Sequence, residues 1–361
     1  MRIKRYISIV YLVGFLILTS ILLNVCNFIL EDKNAKKNVY ALRYEESDTI
    51  DVIFLGNSHA NNAFLPMDLW GDYGYTAYNF SQMSQTFPLV YYCAEDAIKM
   101  QHPQLLVVDL FAATSYGNDF DNMHLTVDNL CFATRMKAIT EFVAEDKKTE
   151  YYLPLYLYHD RWDELEFKDF IPYYLRYAPE RNPRKGVTLV SDWVECNSPN
   201  EAIRCAYSYD KAELSEETLY WCYRLKELCD ENGISLLFVV VPYECPIGGN
   251  EASTIENIRM YNAIEKWSLE NNVDYLNLFR NLDMMNFNFA TDMQDESHVN
   301  ILGAKKVTHE IGEYISKNFK VNKRMENQDI SDKWDHIYSE YLLEKDNAED
   351  ACWKNIENGS K

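Results

Sequence analysis

No two of the nine cysteines stand as a Cys-x-x-Cys pair. The chain therefore lacks the spacing by which a structural zinc site is read from sequence, and no metal or other cofactor is expected. Cys196 and Cys205 have the separation for one disulfide in an oxidising compartment; buried free thiols are the equal alternative. Positive charge is scarce. Thirty-five Lys and Arg against 56 Asp and Glu leave a formal net charge of −21, which excludes a nucleic-acid partner, because a phosphate backbone needs a basic face. Internal repeats and low-complexity tracts are missing as well. What remains, 361 residues with 47% apolar side chains, is enough for one large domain or two small ones.

The little positive charge there is has a position. The first 30 residues carry Arg2, Lys4 and Arg5 and no acid, so residues 31–361 hold 32 basic against 56 acidic side chains, a net of −24. From Tyr6 to Leu30 the sequence is almost wholly apolar. Twenty-five helical residues reach about 37 Å, enough to cross a bilayer with some tilt. Cations before the run and Glu31 and Asp32 after it place the N-terminus in the cytoplasm. No small-residue cleavage pattern follows, which favours a retained anchor over a removed signal peptide. Leu23-Asn24-Val25-Cys26 does not suit a lipoprotein site. The expected organisation is a cytoplasmic tip and transmembrane anchor over 1–30, a charged stalk over 31–48, a body over 49–320 and a polar tail over 321–361 with one helix near 334–343.

Within the body, strands and helices alternate. Strands are expected at 49–56, 76–80, 103–111, 234–242 and 273–279, the third and fourth as continuous apolar runs of the kind buried in parallel sheets. Helices are expected at 86–101, 215–233, 254–272 and 303–319; the second has a Ser cap, early acids and a closing Gly. The alternation implies an α/β fold, a central parallel sheet with helices on both faces. Residues 112–210 are irregular and Tyr-rich, and read as an insertion over the carboxyl edge of the sheet, where open α/β sheets bind ligands.

Ser58 ends the first strand, in Gly56-Asn57-Ser58-His59. Alone it would be a turn or capping residue. Its interest comes from 240 residues downstream, where Asp295 and His298 stand three apart just before the last helix of the body. At that spacing the carboxylate can fix the imidazole tautomer and leave the other nitrogen to take a proton from a serine. In a parallel sheet both segments fall on the carboxyl edge. Asp292 competes with Asp295 as the orienting acid. His59, next in sequence to Ser58, diverges from it and is a poor base, although it can line the site.

A Gly-x-Ser block after the first strand, paired with Asp-x-x-His before the last helix, resembles the SGNH/GDSL hydrolase superfamily. The Phe54–His59 block, the Tyr158-His159-Asp160-Arg161-Trp162 segment and the stretch from Asp295 to Ala304 resemble more closely its membrane-anchored branch, which includes DltD, AlgJ and AlgX. The resemblance covers about residues 1–345. It implies a flavodoxin-like three-layer sandwich, with Ser58 as nucleophile, His298 as base, Asp295 as its orienter and an acyl-serine intermediate. It also implies an extracytoplasmic esterase or O-acyltransferase of the bacterial plasma membrane. The substrate would be a cell-envelope polysaccharide or teichoic acid, and the expected partner a membrane-bound O-acyltransferase. His159 and Arg161 would then grip substrate; the plainer reading of 151–162 is an aromatic face packed on the core.

Two blocks depart from the family pattern. The loop 79–85 has no Gly, leaving the Ser81 backbone as the expected second oxyanion donor beside Ser58. The segment 107–114 has no Asn. These departures support an alternative, a catalytically inactive glycan-binding or scaffold protein on the same fold. A general α/β-hydrolase fits less well, since its nucleophile follows several strands and its Asp and His lie apart.

Overall fold

The computed structural model describes residues 2–31, 41–118, 121–153, 155–172, 175, 182–199 and 213–359. Much of the expected stalk, and Cys205, lie outside the described residues. The first helix, α1 (Arg2–Leu30), contains the one described span long and apolar enough to cross a membrane, Tyr6–Leu30, which is exposed for most of its length.

The strands β1 (Val52–Leu55), β2 (Ala77–Asn79), β3 (Leu105–Asp109), β4 (Ser235–Val240) and β5 (Asp274–Asn277) form one sheet in the order β2-β1-β3-β4-β5. All four pairings are parallel; Val52 lies opposite Leu105, and Leu105 opposite Ser235. This is the doubly wound order with its switch point between β1 and β3. β1 and β3 are buried at every position and β4 at all but Ser235. Hence their Val, Leu, Ile and Phe runs do not alternate with polar residues. Each such side chain contributes about 1.5–3 kcal/mol relative to exposure.

Two short helices follow β1, α2 (Ser58–Ala63) and α3 (Pro66–Tyr73). After β2 comes α4 (Phe87–Gln101), before β4 α5 (Glu216–Asn232), and before β5 α6 (Glu251–Glu270). Past β5 run α7 (Ile301–Asn318) and α8 (Gln328–Gly359). α3, α7 and α8 pack together on one face of the sheet. On the other, α4 meets α5, and Tyr223 of α5 meets Trp267 of α6 edge-on. The α/β architecture expected from the sequence is thus the one observed.

The tail departs from expectation. Its helix runs 32 residues and buries Trp334, Ile337, Tyr341 and Cys352 on the body. Tyr341 and Lys345 both bond the Asp68 carboxylate. Just before it, Arg324 grips buried Asp51, beside β1, through Nε at 2.6 Å and Nη2 at 2.8 Å. Residues 185–196 run along the ends of β2 and α2 and the loop before α7. The Lys185 carbonyl takes the Asn79 N–H, Thr188 donates to the Asn61 carbonyl, and Val194 and Cys196 donate to those of Met293 and Phe289.

Candidate active site

Gly56 closes β1 with a φ of +150°, in a place where a Cβ would come within 2.7 Å of that of Ala60 and 3.1 Å of that of Asp109. Glycine is needed there on both counts. The tight turn lets Asn57 cap α2, its side chain accepting the His59 N–H at 3.0 Å, and puts Ser58 at the first helical position. A first-turn N–H has no acceptor within its own helix, so the Ser58 N–H stands beside its own Oγ as a donor.

The second half of the site is the loop before α7. Met293 and Val299 pair as an isolated bridge, closing a turn that holds Asp295 and His298. Asp295 Oδ1 accepts from the backbone N–H of Ser297 (2.7 Å) and of His298 (2.9 Å). The same carboxylate receives His298 Nδ1, at 2.9 and 3.0 Å from its two oxygens. His298 Nε2 lies 2.7 Å from Ser58 Oγ. An Nδ1–H donated to Asp295 leaves Nε2 as the acceptor facing the hydroxyl, the tautomer that can take its proton.

Asp292 has other work. Its carboxylate accepts from the Asn288 N–H at 2.7 Å, the Thr291 hydroxyl at 2.9 Å and Lys306 Nζ at 2.6 Å. It braces the loop and does not reach His298.

Several residues that the sequence did not mark hold the two halves together. Asn300 caps α7 through Oδ1, accepting from Leu302 and Gly303, while its Nδ2 donates to the carbonyls of Thr291 and Met293. A Cβ on Gly303 would sit 2.4 Å from the Asp292 carbonyl, so the loop can pack this closely only on glycine. Asn62 of α2 donates to Gln294 Oε1 at 2.7 Å. Thr308 of α7 bonds the Leu65 N–H and the Ala63 carbonyl. Asn62 and Thr308, inside helices, give no periodic signal; their partners are more than 200 residues distant.

The remaining expected residues fall elsewhere. Ser81 is buried, with its N–H directed to Asn79 Oδ1 at 3.3 Å and its hydroxyl to the same oxygen. The next N–H, that of Gln82, donates to the Gly56 carbonyl. The loop that would supply the second oxyanion donor therefore spends these N–H groups internally. His59 does not line the site but lies beneath it at 2% exposure. It stacks on Phe111 at 3.5 Å between centroids, edge-on to Tyr243, with His298 5.0 Å away. Among the described residues, neither ring nitrogen has a hydrogen-bond partner. Burial, and then the charge of His298, push its pKa well below 6.5. Asp109, at the end of β3, is also fully buried. Burial pushes it up to about 7, against the smaller pull of the Phe111 and Val241 N–H groups.

Among the described residues, neither His159 nor Arg161 bonds Ser58, His298 or Asp295. His159 Nδ1 meets the Tyr156 carbonyl at 2.8 Å, and Arg161 Nη1 donates to the Leu30 carbonyl at 2.6 Å. The arginine satisfies the frayed end of α1, where a helix leaves carbonyls without partners.

No protein-family model matches the chain, and no curated protein is similar to it at a significant level. Among solved structures, it is similar to a Bacteroides fragilis protein described as a "putative acylhydrolase", at 12% identity and a TM-score of 0.39, over 80% of this chain and 100% of that one.

Proposed function

We propose that the chain is a membrane-anchored serine esterase or O-acyltransferase of the SGNH type. One observation carries this reading, the unbroken line from Asp295 through His298 to Ser58 Oγ with the last gap at 2.7 Å. Ser58 Oγ attacks an ester carbonyl carbon while its proton passes to His298 Nε2. Asp295 holds the imidazolium. The Ser58 N–H, at the positive end of α2, faces the developing oxyanion. The tetrahedral intermediate collapses, His298 returns the proton to the leaving alkoxide, and acyl-Ser58 remains. Water or an acceptor hydroxyl then attacks it, activated by the same histidine. With α1 in the bacterial plasma membrane and its N-terminus in the cytoplasm, the body is extracytoplasmic. A cell-envelope polysaccharide or teichoic acid is then within reach as substrate, and a membrane-bound O-acyltransferase as partner. The resemblance in sequence motifs supports those assignments.

The internal engagement of the Ser81 and Gln82 N–H groups favours a second reading, an inactive glycan-binding or scaffold protein. A fluorophosphonate probe separates the two. The esterase reading expects covalent labelling of the wild type and none of Ser58→Ala. A folded wild type that resists the probe leaves the scaffold reading in its place.

A further inference from the structure

The inserted segment carries its bulky apolar side chains outward where α1 meets the body. The last turn of α1 is half-buried against the helix Leu155–Tyr158 and the turn Phe167–Phe170, Leu30 is fully buried, and Arg161 holds its carbonyl. On these same short elements and the chain joining them, Phe167 is 84% exposed, Trp162 64% and Tyr156 62%, with Phe170 also exposed. A soluble surface rarely gathers so many large apolar groups in one place without a partner to cover them.

The position of α1 selects the partner. Its apolar run of 25 residues is about 37 Å long, against about 30 Å of hydrocarbon. With its N-terminal end set at the far boundary, roughly the last turn emerges at headgroup level. The elements packed on that turn stand at the same level. Trp and Tyr are the side chains that favour this zone, and Phe and Leu bury into the acyl boundary just below it. Charge is not the attraction, because residues 148–175 hold three Lys and Arg against six Asp and Glu, the reverse of a polybasic lipid-binding segment.

We propose that the segment from Leu155 to Phe170 lies in the headgroup–acyl boundary beside the anchor, so that the body is seated on the membrane rather than tethered above it. The proposal rests on α1 spanning the bilayer. In this arrangement Arg161 joins anchor to seat, and the active-site body keeps a fixed height over the lipid.

The test is photo-crosslinking of the full chain in phosphatidylcholine vesicles, with p-benzoylphenylalanine placed singly at Phe167, at Trp162, at Leu16 within α1, and at Leu269 on α6, which is exposed and remote in sequence. Each variant must retain the thermal transition of the wild type. Lipid adducts are expected at 16, 162 and 167 and not at 269, with yields at 162 and 167 unchanged by high salt. Adducts at 16 with 162 and 167 as silent as 269 overturn the proposal and leave the anchor standing. So does capture at 167 of a second protein instead of lipid, which makes the patch a protein interface. Silence at 16 overturns the anchor reading, and the proposal with it.

Discussion

Ser58, His298 and Asp295 differ from their neighbours in having each partner imposed by a specific turn. The Asp295 carboxylate takes two backbone N–H groups as well as the imidazole, which fixes its orientation although it is half-exposed. Asp295→Asn keeps the shape and allows the wrong tautomer, so kcat is expected to fall by on the order of 10³–10⁴ with the melting temperature little changed. Steady-state kinetics on any ester the wild type accepts checks this. Retention of a tenth of the activity, roughly, would remove Asp295 from the mechanism. Beneath the triad, His59 and Asp109 make opposite contributions to pH dependence. Asp109 keeps its proton up to about pH 7, whereas the unfolded carboxyl loses it near 3.8. Its contribution is whole below that lower value and lost as pH rises towards 7. His59 stays neutral where the unfolded imidazole takes a proton below about 6.5. Its contribution is whole above 6.5 and lost as pH falls. Asp109→Asn is expected to gain on the wild type between pH 4 and 7, by up to a few kcal/mol, and His59→Leu to gain below pH 6.5. Urea midpoints across that range would show it; a constant offset between variant and wild type contradicts the assigned protonation state.

At the scale of elements, α2 and α7 must meet for Ser58 to meet His298, and Asn300 is the residue on which the second half depends. It caps α7 and ties back two carbonyls of the loop it terminates. Losing the cap costs about 0.5–2 kcal/mol, and leaving the Thr291 carbonyl without the Asn300 donor about 1–3 more, while the Met293 carbonyl keeps the Val194 N–H. Asn300→Ala is thus expected to destabilise by about 2–4 kcal/mol, and Asn300→Asp, which keeps the cap and loses the donors, by less. Equal midpoints for the two in urea would show that the cap contributes nothing. Sequence patterning finds elements of this kind unevenly. The runs 105–109 and 235–240 are legible as strands because a strand buried on both faces needs no polar residue. The pairing of Asp295 with His298 is legible because three residues fix their separation. Asn62 and Thr308 are not legible, since their partners are set by tertiary contact alone. The Tyr158–Trp162 motif is ambiguous for a related reason. Its arginine has a carbonyl at the end of α1 to satisfy, and nothing local in the sequence distinguishes that from a ligand. α8 is undercounted because only Trp334, Ile337, Tyr341 and Cys352 of its 32 residues are buried, too sparse a stripe to reveal its length.

Taken as a whole molecule, α8 connects the sheet face to the loop that carries Asp295 and His298. Its first half is fastened by Trp334, Ile337 and Tyr341, and by Lys345 to Asp68. Farther along, Asn355 Nδ2 donates to the Ser191 carbonyl at 2.9 Å, and Gly359 abuts Trp193 so closely that a Cβ would stand 2.3 Å from the ring. Ser191 and Trp193 belong to the extended segment whose backbone bonds Met293, Phe289 and Ile301, the residues that frame Asp295 and His298. The end of α8 therefore braces a strap, and the strap braces the loop. Removing residues 347–361 spares the anchoring half of α8. The truncated chain is expected to fold, with amide exchange faster at 188–197 and 289–299 than in the full chain and unchanged in β3 and β4, because local openings follow the contacts that are lost. If His298 is held only through this chain of contacts, kcat falls several-fold while KM stays nearly constant, since a catalytic group displaced by about 1 Å loses rate before binding. Faster exchange spread evenly over the sheet would instead mean that α8 supports the whole fold. Unchanged exchange at 289–299 would mean that the strap does not reach the site.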